Sequence, residues 1–253
     1  MTDTIQLSDG DHVTTLTVTE PRSLGVSFLR SLLKILAEKI DSSTRVLILT
    51  ASHPEALLAD VAALKAMGPT EASAFSELGQ NVCAAIEALP FPVIAAIDGL
   101  ALGGGCELTL ASDLVYASNR AQFGQIEVNG GIVPGFGGTW RLARRVGDFK
   151  AREFLYTGAV LDAHAAMSAG LVTDVVDGAK LLDRVSAAAT TIAKIAPLAV
   201  RAVKMLTLAN RELSLQNSNA LERQTFASLF GTADQKEGMS AFLEKRPAQF
   251  QGV

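Results

Sequence analysis

Three consecutive glycines, Gly103 to Gly105, stand where an apolar strand pattern gives way to a helical one. Residues 92–98 form a short, continuous apolar run typical of a strand buried on both faces. Glycine allows a turn there that a β-carbon would obstruct, and it lets a ligand approach the backbone closely. The first turn of the following helix offers unpaired N–H groups at the positive end of its dipole. The pattern therefore predicts an anion site, for either a phosphate or a developing oxyanion.

The residues around the glycines narrow the choice of anion. They do not match the dinucleotide fingerprint G-x-G-x-x-G, and Cys106 and Glu107 stand where a Walker A loop needs Gly-Lys-Ser/Thr. Glu107 suits proton transfer better than phosphate binding, and a second carboxylate, Glu127, precedes another glycine-dense turn. Two glutamates beside an oxyanion site run acid and base steps when their surroundings separate their pKa values.

Each of these residues also has an ordinary structural interpretation. Glycines mark tight turns, Glu107 is a favourable acid in a first helical turn, and Glu127 fits a solvated surface. The arginines Arg141, Arg144 and Arg145 share one helix face, which we interpret as solvated or in contact with another subunit. Spacing alone leaves the functional and the structural interpretations of the glutamates open.

The order of strand and helix patterns predicts an α/β core followed by helices. Strand patterns and helical patterns alternate over residues 13–19, 28–40, 45–50, 70–89 and 92–98. Four further helical patterns cover residues 180–196, 197–211, 215–230 and 235–245. We therefore predict an α/β core over residues 1–177 and an all-helical region over residues 178–253, which serves as a lid or an oligomerisation element.

Composition excludes several classes of protein. The chain has 253 residues, 49% of them hydrophobic, and a net charge of -4, which argues against a general nucleic-acid or membrane-surface binder. The two cysteines offer no disulfide framework, and the three histidines have no metal-ligand spacing. No apolar run reaches the length of a membrane span, about 18 residues. We expect a cytoplasmic protein without a metal.

The order of the motifs resembles the enoyl-CoA hydratase/isomerase (crotonase) superfamily. The resemblance is carried by residues 92–108, with the glycines and Glu107, and by residues 121–127, which end at Glu127. It continues through residues 134–138, 157–158, 163–166, 170–172 and 236–246. The resemblance implies a spiral of ββα units followed by an all-helical oligomerisation region that packs trimers, often paired into hexamers.

The resemblance also implies an acyl-coenzyme A thioester as substrate, with no other cofactor. In the family, the thioester oxygen binds two backbone N–H groups, which fall on Ala59 and Gly104 of this chain. Glu107 and Glu127 match the two glutamates of the hydratases, which add water across a trans-2-enoyl-CoA. Gly135 falls where the family's backbone positions that water.

The coenzyme A site carries over in part. Arg22 and Leu24 match an early stretch of the family that meets the coenzyme, and Phe226 and Lys245 match C-terminal positions that contact it. Solvated charges explain Arg22 and Lys245 equally well, and helix packing explains Phe226.

One loop departs from the family's pattern. Leu58 stands where the family has a glycine before the first N–H donor, and Ala62 and Gly25 replace a common lysine and asparagine. A leucine at positive φ is costly, so the backbone path of the loop is expected to differ if that conformation is needed. The alternatives to a hydratase are therefore an isomerase or another reaction through the same enolate, and a weakly catalytic acyl-CoA-binding member.

Overall fold

The computed structural model describes residues 4–20 and 24–253. Strands within these ranges are short. They are β1 (Ile5–Gly10), β2 (Val13–Val18), β3 (Val46–Ala51), β4 (Val93–Ile97), β5 (Leu100–Leu102), β6 (Leu114–Ser118), β7 (Gln122–Gly124), β8 (Val160–Asp162) and β9 (Asp174–Val176).

Helices occupy most of the remaining described chain. The first seven are α1 (Val26–Glu38), α2 (Val61–Ala66), α3 (Pro69–Ala88), α4 (Gly104–Ala111), α5 (Gly138–Val146), α6 (Asp148–Thr157) and α7 (Ala163–Ser168). The last four are α8 (Leu181–Ala193), α9 (Pro197–Ala209), α10 (Leu215–Leu229) and α11 (Ala233–Glu244). Short 3₁₀ turns at Glu127–Gly130 and Gly178–Lys180 complete the set.

The main sheet has the strand order β1-β2-β3-β4-β6-β9. β1 and β2 form an antiparallel hairpin, and every later neighbour is parallel. β3 and β4 are buried along almost their whole length, because helices cover both faces of the sheet. Their continuous apolar runs predicted this arrangement.

A second sheet, with the order β5-β7-β8, stands beside the first. The chain passes from β4 of the main sheet to β5 of the small sheet and then into α4. It repeats this path through β6, β7 and α5. The spiral of ββα units that the resemblance implies is therefore confirmed, and its repeat places the starts of α4 and α5 after neighbouring strands of the small sheet.

Two apolar clusters fill the spaces on either side of the main sheet. One joins the sheet to α1, α3 and α4, with Phe28, Leu32, Val82, Ile86 and Leu108 among its buried residues. The other lies under α8, whose buried residues repeat every fourth position: Leu181, Val185, Ala189 and Ala193. α8 thus packs directly on the sheet, and the division of domains at residue 177 stays a prediction.

A buried ion pair anchors the C-terminal helices to the core. The ammonium of Lys204, on α9, lies 2.8 Å from the Asp113 carboxylate and donates to the carbonyl of Phe91 at 2.9 Å. Only 7% of the Lys204 side chain is exposed, so its charge depends on these partners. α9 is therefore held against the turn that joins α4 to β6.

Most long elements lie within a few residues of their sequence-predicted positions, and the four C-terminal helices are all present. The short strands of the small sheet and the helix α6 were not predicted, whereas α5 is the helix on which the three arginines were placed. Within the described ranges, no helix combines the length and apolarity needed to cross a membrane.

Candidate active site

The glycine run forms the junction that the sequence predicts. Gly103 has φ +55°, a region that favours glycine, and α4 begins at the next residue. The N–H of Gly103 donates to the carbonyl of Gly124 at 2.8 Å, which ties α4 to the small sheet. The N–H of Gly104 donates to no other described residue. Gly104 is also partly exposed between two buried glycines, so its N–H group is a candidate donor to a ligand.

The loop that carries Ala59 packs directly on the same helical turn. A β-carbon on Gly105 would lie 2.1 Å from the carbonyl oxygen of Leu57, so only glycine lets the loop come this close. The N–H of Leu24 donates to the carbonyl of Leu58 at 3.1 Å, and Leu24 forms a parallel bridge with Ala59. The N–H of Ala59 has no acceptor in the part of the chain that the structure describes. The loop thus brings a second open donor toward α4.

Leu58 does not take the costly conformation that its position suggested. The non-glycine residues at positive φ in the described ranges are Asp11, His12 and Lys245. The loop continues into α2, which Asp60 caps by accepting from the N–H groups of Ala62 and Ala63 at 3.0 and 3.1 Å. Leu58 therefore lies at negative φ, and the loop continues into α2 with a regular N-cap.

Glu107 is buried in the first turn of α4, with 1% of its surface exposed. Its Oε1 atom accepts hydrogen bonds from the N–H groups of Phe136 at 2.7 Å and Gly138 at 2.6 Å. Gly138 is the first residue of α5, so the carboxylate lies at the positive end of that helix. Burial nevertheless dominates and raises the pKa of Glu107 to about 7, against the lowering effect of these donors.

Glu127 begins the 3₁₀ turn that follows the small sheet. Its Oε2 atom is buried and has no hydrogen-bond partner among the described residues. Burial raises the pKa of Glu127, and its charge in turn raises the pKa of Glu107. Its Oε1 atom lies 3.1 Å from the place that a β-carbon on Gly103 would occupy. The two carboxylates therefore share one site at the start of α4.

Gly135 lies in the turn that supplies the donors to Glu107. Its carbonyl accepts from Ser76 Oγ at 2.5 Å and from Gln80 Nε2 at 3.1 Å, both on α3. Its backbone also lowers the pKa of Glu107. The structure thus brings Gly135 to the glutamate pair.

The four residues predicted to bind coenzyme A have different surroundings. Arg22 lies outside the described residues. Leu24 is buried beside Ala59. Phe226 is 63% exposed and contacts the ring of Phe230. It lines a groove formed by α9, α10 and α11. Lys245 is exposed directly after α11, at φ +54°.

The structure adds residues that sequence reasoning did not select. Gln125 is 2% exposed, and its amide donates to the carbonyl of Gly103 at 3.4 Å. The ring of Phe136 packs against both Gly104 and Gly79. A β-carbon on Gly104 would lie 2.8 Å from this ring, and one on Gly79 would lie 2.0 Å from it. The sequence could have indicated Gln125, because it stands only two residues before Glu127. Nothing in the sequence marks Phe136 as a neighbour of Gly104.

The interpretation of the three arginines as a surface was wrong for two of them. Arg141 is 10% exposed and forms an ion pair with Glu87 at 2.6 Å. Arg145 turns inward to donate to the carbonyls of Leu110, Ser112 and Asp113, at the end of α4. Arg144 alone stays outside, 3.6 Å above the ring of Trp140. The buried carbonyls at the end of α4 account for the inward turn of Arg145, because they need donors.

The site has the groups for proton transfer beside a stabilised oxyanion. Two carboxylates with raised pKa values lie beside two open backbone donors. The cysteines are not candidates for a nucleophile, because burial raises the pKa of both Cys83 and Cys106 to about 12. No group of three metal-ligating side chains occurs in the described parts of the chain.

Known proteins are similar to this chain in sequence and in structure. The profile of the family described as enoyl-CoA hydratase/isomerase matches residues 10–253. A crotonyl-CoA hydratase of Syntrophomonas wolfei is 40% identical, with 97% of each chain covered. A short-chain-enoyl-CoA hydratase of Clostridium acetobutylicum is 37% identical, with 92% of each covered. The crystal structure of an enoyl-CoA hydratase from Bacillus anthracis superposes with a TM-score of 0.94 at 33% identity, covering 99% of this chain and 100% of the other.

Replacing Glu107 by glutamine should change how stability depends on pH. Because the folded pKa is raised from 4.5 to about 7, Glu107 stays protonated longer in the folded than in the unfolded chain. Its contribution to stability is therefore complete below about pH 4.5 and is lost as the pH rises through 7. We expect wild type to lose about 3 kcal/mol more than Glu107→Gln between pH 4.5 and 8.

Urea unfolding across this pH range measures the difference. Glu38→Gln, on the exposed end of α1, is the control and should follow wild type. Parallel stability curves for wild type and Glu107→Gln would show that the folded pKa is not raised.

Proposed function

Because this chain belongs to the enoyl-CoA hydratase/isomerase family, we propose that it is an enoyl-CoA hydratase, which adds water across the double bond of a trans-2-enoyl-CoA. The observation that carries the proposal is the pair of glutamates at the start of α4. Both have raised pKa values, and the charge of Glu127 contributes to the raised pKa of Glu107. Hydration needs both a group that activates water and a group that delivers a proton, and this pair supplies both.

The thioester oxygen binds the open N–H groups of Gly104 and Ala59 in this proposal. Negative charge appears on that oxygen only as the enolate develops, so fixed donors stabilise the transition state more than the substrate. The position of Gly104 at the first turn of α4 adds the helix dipole to its N–H group.

The two glutamates then take separate parts in adding one water molecule to the double bond. The oxygen of the water, positioned by the backbone of Gly135, forms a bond to C3 while Glu107 accepts the proton that the water releases. The proton gained by Glu107 balances the one that C2 receives, so the pair keeps its number of protons. Glu127 is the principal donor of the proton that C2 receives. Since the charge of Glu127 raises the pKa of Glu107, their roles belong to the pair as well as to each residue.

The same proposal assigns the coenzyme portion of the substrate to Arg22, Leu24, Phe226 and Lys245. Arg22 and Lys245 supply positive charge for phosphate groups, and Phe226 supplies an exposed aromatic face. The proton-transfer chemistry uses only carboxylates and backbone donors, so we propose that coenzyme A, as part of the substrate, is the one cofactor involved. Two buried free cysteines suit our proposed location, the cytoplasm.

Loss of the conjugated enoyl absorbance of crotonyl-CoA tests the proposed reaction. Its choice as first substrate follows the names of the two relatives, one a crotonyl-CoA and one a short-chain-enoyl-CoA hydratase. We expect wild type to hydrate it, and Glu127→Gln to lower kcat about 10²–10⁴-fold, because the proton donor is lost.

Glu38→Gln again serves as the control and should retain wild-type turnover. A fully active Glu127→Gln would remove Glu127 from the mechanism. Conversion of a 3-enoyl thioester without hydration would favour an isomerase instead. Tight binding of an acyl-CoA without turnover would favour a weakly catalytic acyl-CoA-binding member of the family.

Gly105→Ala tests whether the loop with Ala59 supplies a donor. The new β-carbon would lie 2.1 Å from the Leu57 carbonyl oxygen, so the loop must move away from α4. We expect kcat to fall about 10²–10³-fold, the usual cost of one lost oxyanion donor. Gly10→Ala has open space around the new methyl group and should leave kcat unchanged. Wild-type turnover by a folded Gly105→Ala protein would argue against Ala59.

We also propose that the chain assembles as a trimer or as a hexamer of two trimers. The C-terminal helices expose large apolar side chains, including Val203, Leu215, Phe242 and Leu243. Such side chains are unfavourable in water unless another surface covers them. Light scattering should give three or six times the chain mass of 26.5 kDa, and a monomer at micromolar concentration would contradict the proposal.

A further inference from the structure

The turn whose N–H groups bind Glu107 is stabilised on its other side by the side chain of Arg141. Phe136 donates its N–H to Glu107, and its carbonyl accepts from Nη1 of Arg141 at 2.7 Å. The guanidinium lies against Gly137, where a β-carbon would come within 2.4 Å of Nη1. Gly137 has φ +97°, which places the turn in a conformation that favours glycine. Arg141 therefore spans the turn from the first residues of α5.

A carboxylate on another helix orients this guanidinium. Glu87, near the end of α3, accepts from Nη2 of Arg141 at 2.6 Å through Oε2. Its other oxygen lies 3.3 Å from Arg211, which follows α9. The Arg141 and Glu87 side chains are 10% and 17% exposed, so water screens their attraction only weakly. The pair links α3 and α5 behind the glutamate site.

We propose that Arg141 is a positioning residue for Glu107, which acts with Glu87 to hold the Phe136–Gly138 turn so that two N–H groups meet one carboxylate oxygen. This inference rests on the proposed function of the same site. It assigns no bond-making step to Arg141. It predicts instead that the geometry and ionisation of Glu107 depend on a guanidinium that does not hydrogen-bond to it.

The ionisation of Glu107 depends on Arg141 because two opposing effects set the pKa of Glu107. Burial raises this pKa, and the N–H groups of the turn lower it. A relaxed turn would lengthen those hydrogen bonds, so the balance would move toward the protonated acid. The carboxylate of Glu107 in turn raises the pKa of Arg141, so the guanidinium stays charged beside the turn.

The other groups facing Glu107 do not produce this change. Cys83 and Cys106 hold their protons to about pH 12 and carry no charge near neutrality. Glu127 raises the pKa of Glu107, and that effect stays in place in the variants below. Glu87 carries the remaining charge of the network and is itself one of the positions tested.

Two variants separate positioning from simple support of the fold. Arg141→Lys keeps the positive charge but loses the planar guanidinium, which donates to both the Phe136 carbonyl and the Glu87 carboxylate. Glu87→Gln keeps the shape of the side chain and removes the negative charge that orients the Arg141 guanidinium. Arg144→Lys, one residue from Arg145 on the same helix, is the control, because its ion pair with Glu212 is exposed.

Each protein is assayed with crotonyl-CoA and also by infrared titration of its carboxyl groups. The band of protonated Glu107 is identified by its loss in Glu107→Gln, so its midpoint is read without turnover. We expect kcat to fall about 10- to 100-fold in both variants with KM nearly unchanged, since a displaced group costs this much. The infrared midpoint should rise by about one pH unit, and Arg144→Lys should match wild type in both measurements.

An unmoved midpoint in folded Arg141→Lys and Glu87→Gln would overturn the proposal, whatever happens to kcat. If Arg141→Lys does not fold, the milder Glu87→Gln decides by the same midpoint. A raised midpoint in a protein without hydratase activity would support the positioning role and contradict the proposed reaction. Normal hydration with an unmoved midpoint would leave the reaction standing and remove the role of Arg141.

Discussion

Close backbone contact at the first turn of α4 is the constraint on which the site depends. Each of its three glycines admits a different neighbour, as the positions of their missing β-carbons show. Glu127 would lie 3.1 Å from a β-carbon on Gly103, the Phe136 ring 2.8 Å from one on Gly104, and the Leu57 carbonyl 2.1 Å from one on Gly105. One turn of backbone thus gathers a carboxylate, the turn before α5 and the loop of Ala59. A side chain at Gly105 would push the loop away and one at Gly104 would displace the Phe136 ring, whereas one at Gly103 would strain a backbone held at φ +55°.

Burial gives the two glutamates unequal surroundings in the same pocket. Glu107 accepts two backbone N–H groups at the start of α5, whereas Glu127 keeps an oxygen without a partner among the described residues. A buried polar atom without a partner costs free energy, and a bound water or substrate relieves that cost. The geometry therefore favours a ligand beside Glu127, while Glu107 stays fixed. Such a division suits a reaction in which the two carboxylates have different tasks in proton transfer.

The sequence predicts the parts of the fold that local patterns determine. The buried strands β3 and β4, the start of α4 after the glycines and the C-terminal helices all follow from apolar runs and breakers. The strands of the small sheet were missed because three residues are too short to show a period of two. Residues that act across long sequence separations were missed as well. The inward turn of Arg141 depends on Glu87, 54 residues earlier in the chain, and no local pattern reports that contact.

Ion pairs from the C-terminal region reach both sides of the site's framework. Lys204 binds Asp113 just beyond the end of α4, and Arg211 binds Glu87 behind the turn that holds Glu107. Arg145 donates to the last carbonyls of α4, so that helix is restrained at its end as well as at its glycine start. Charged groups held in this way tolerate little displacement, because breaking a buried pair leaves an unpaired charge. The helices that follow the α/β core are thus a part of what keeps the glutamates in place, and any movement of α9 would reach them through these contacts.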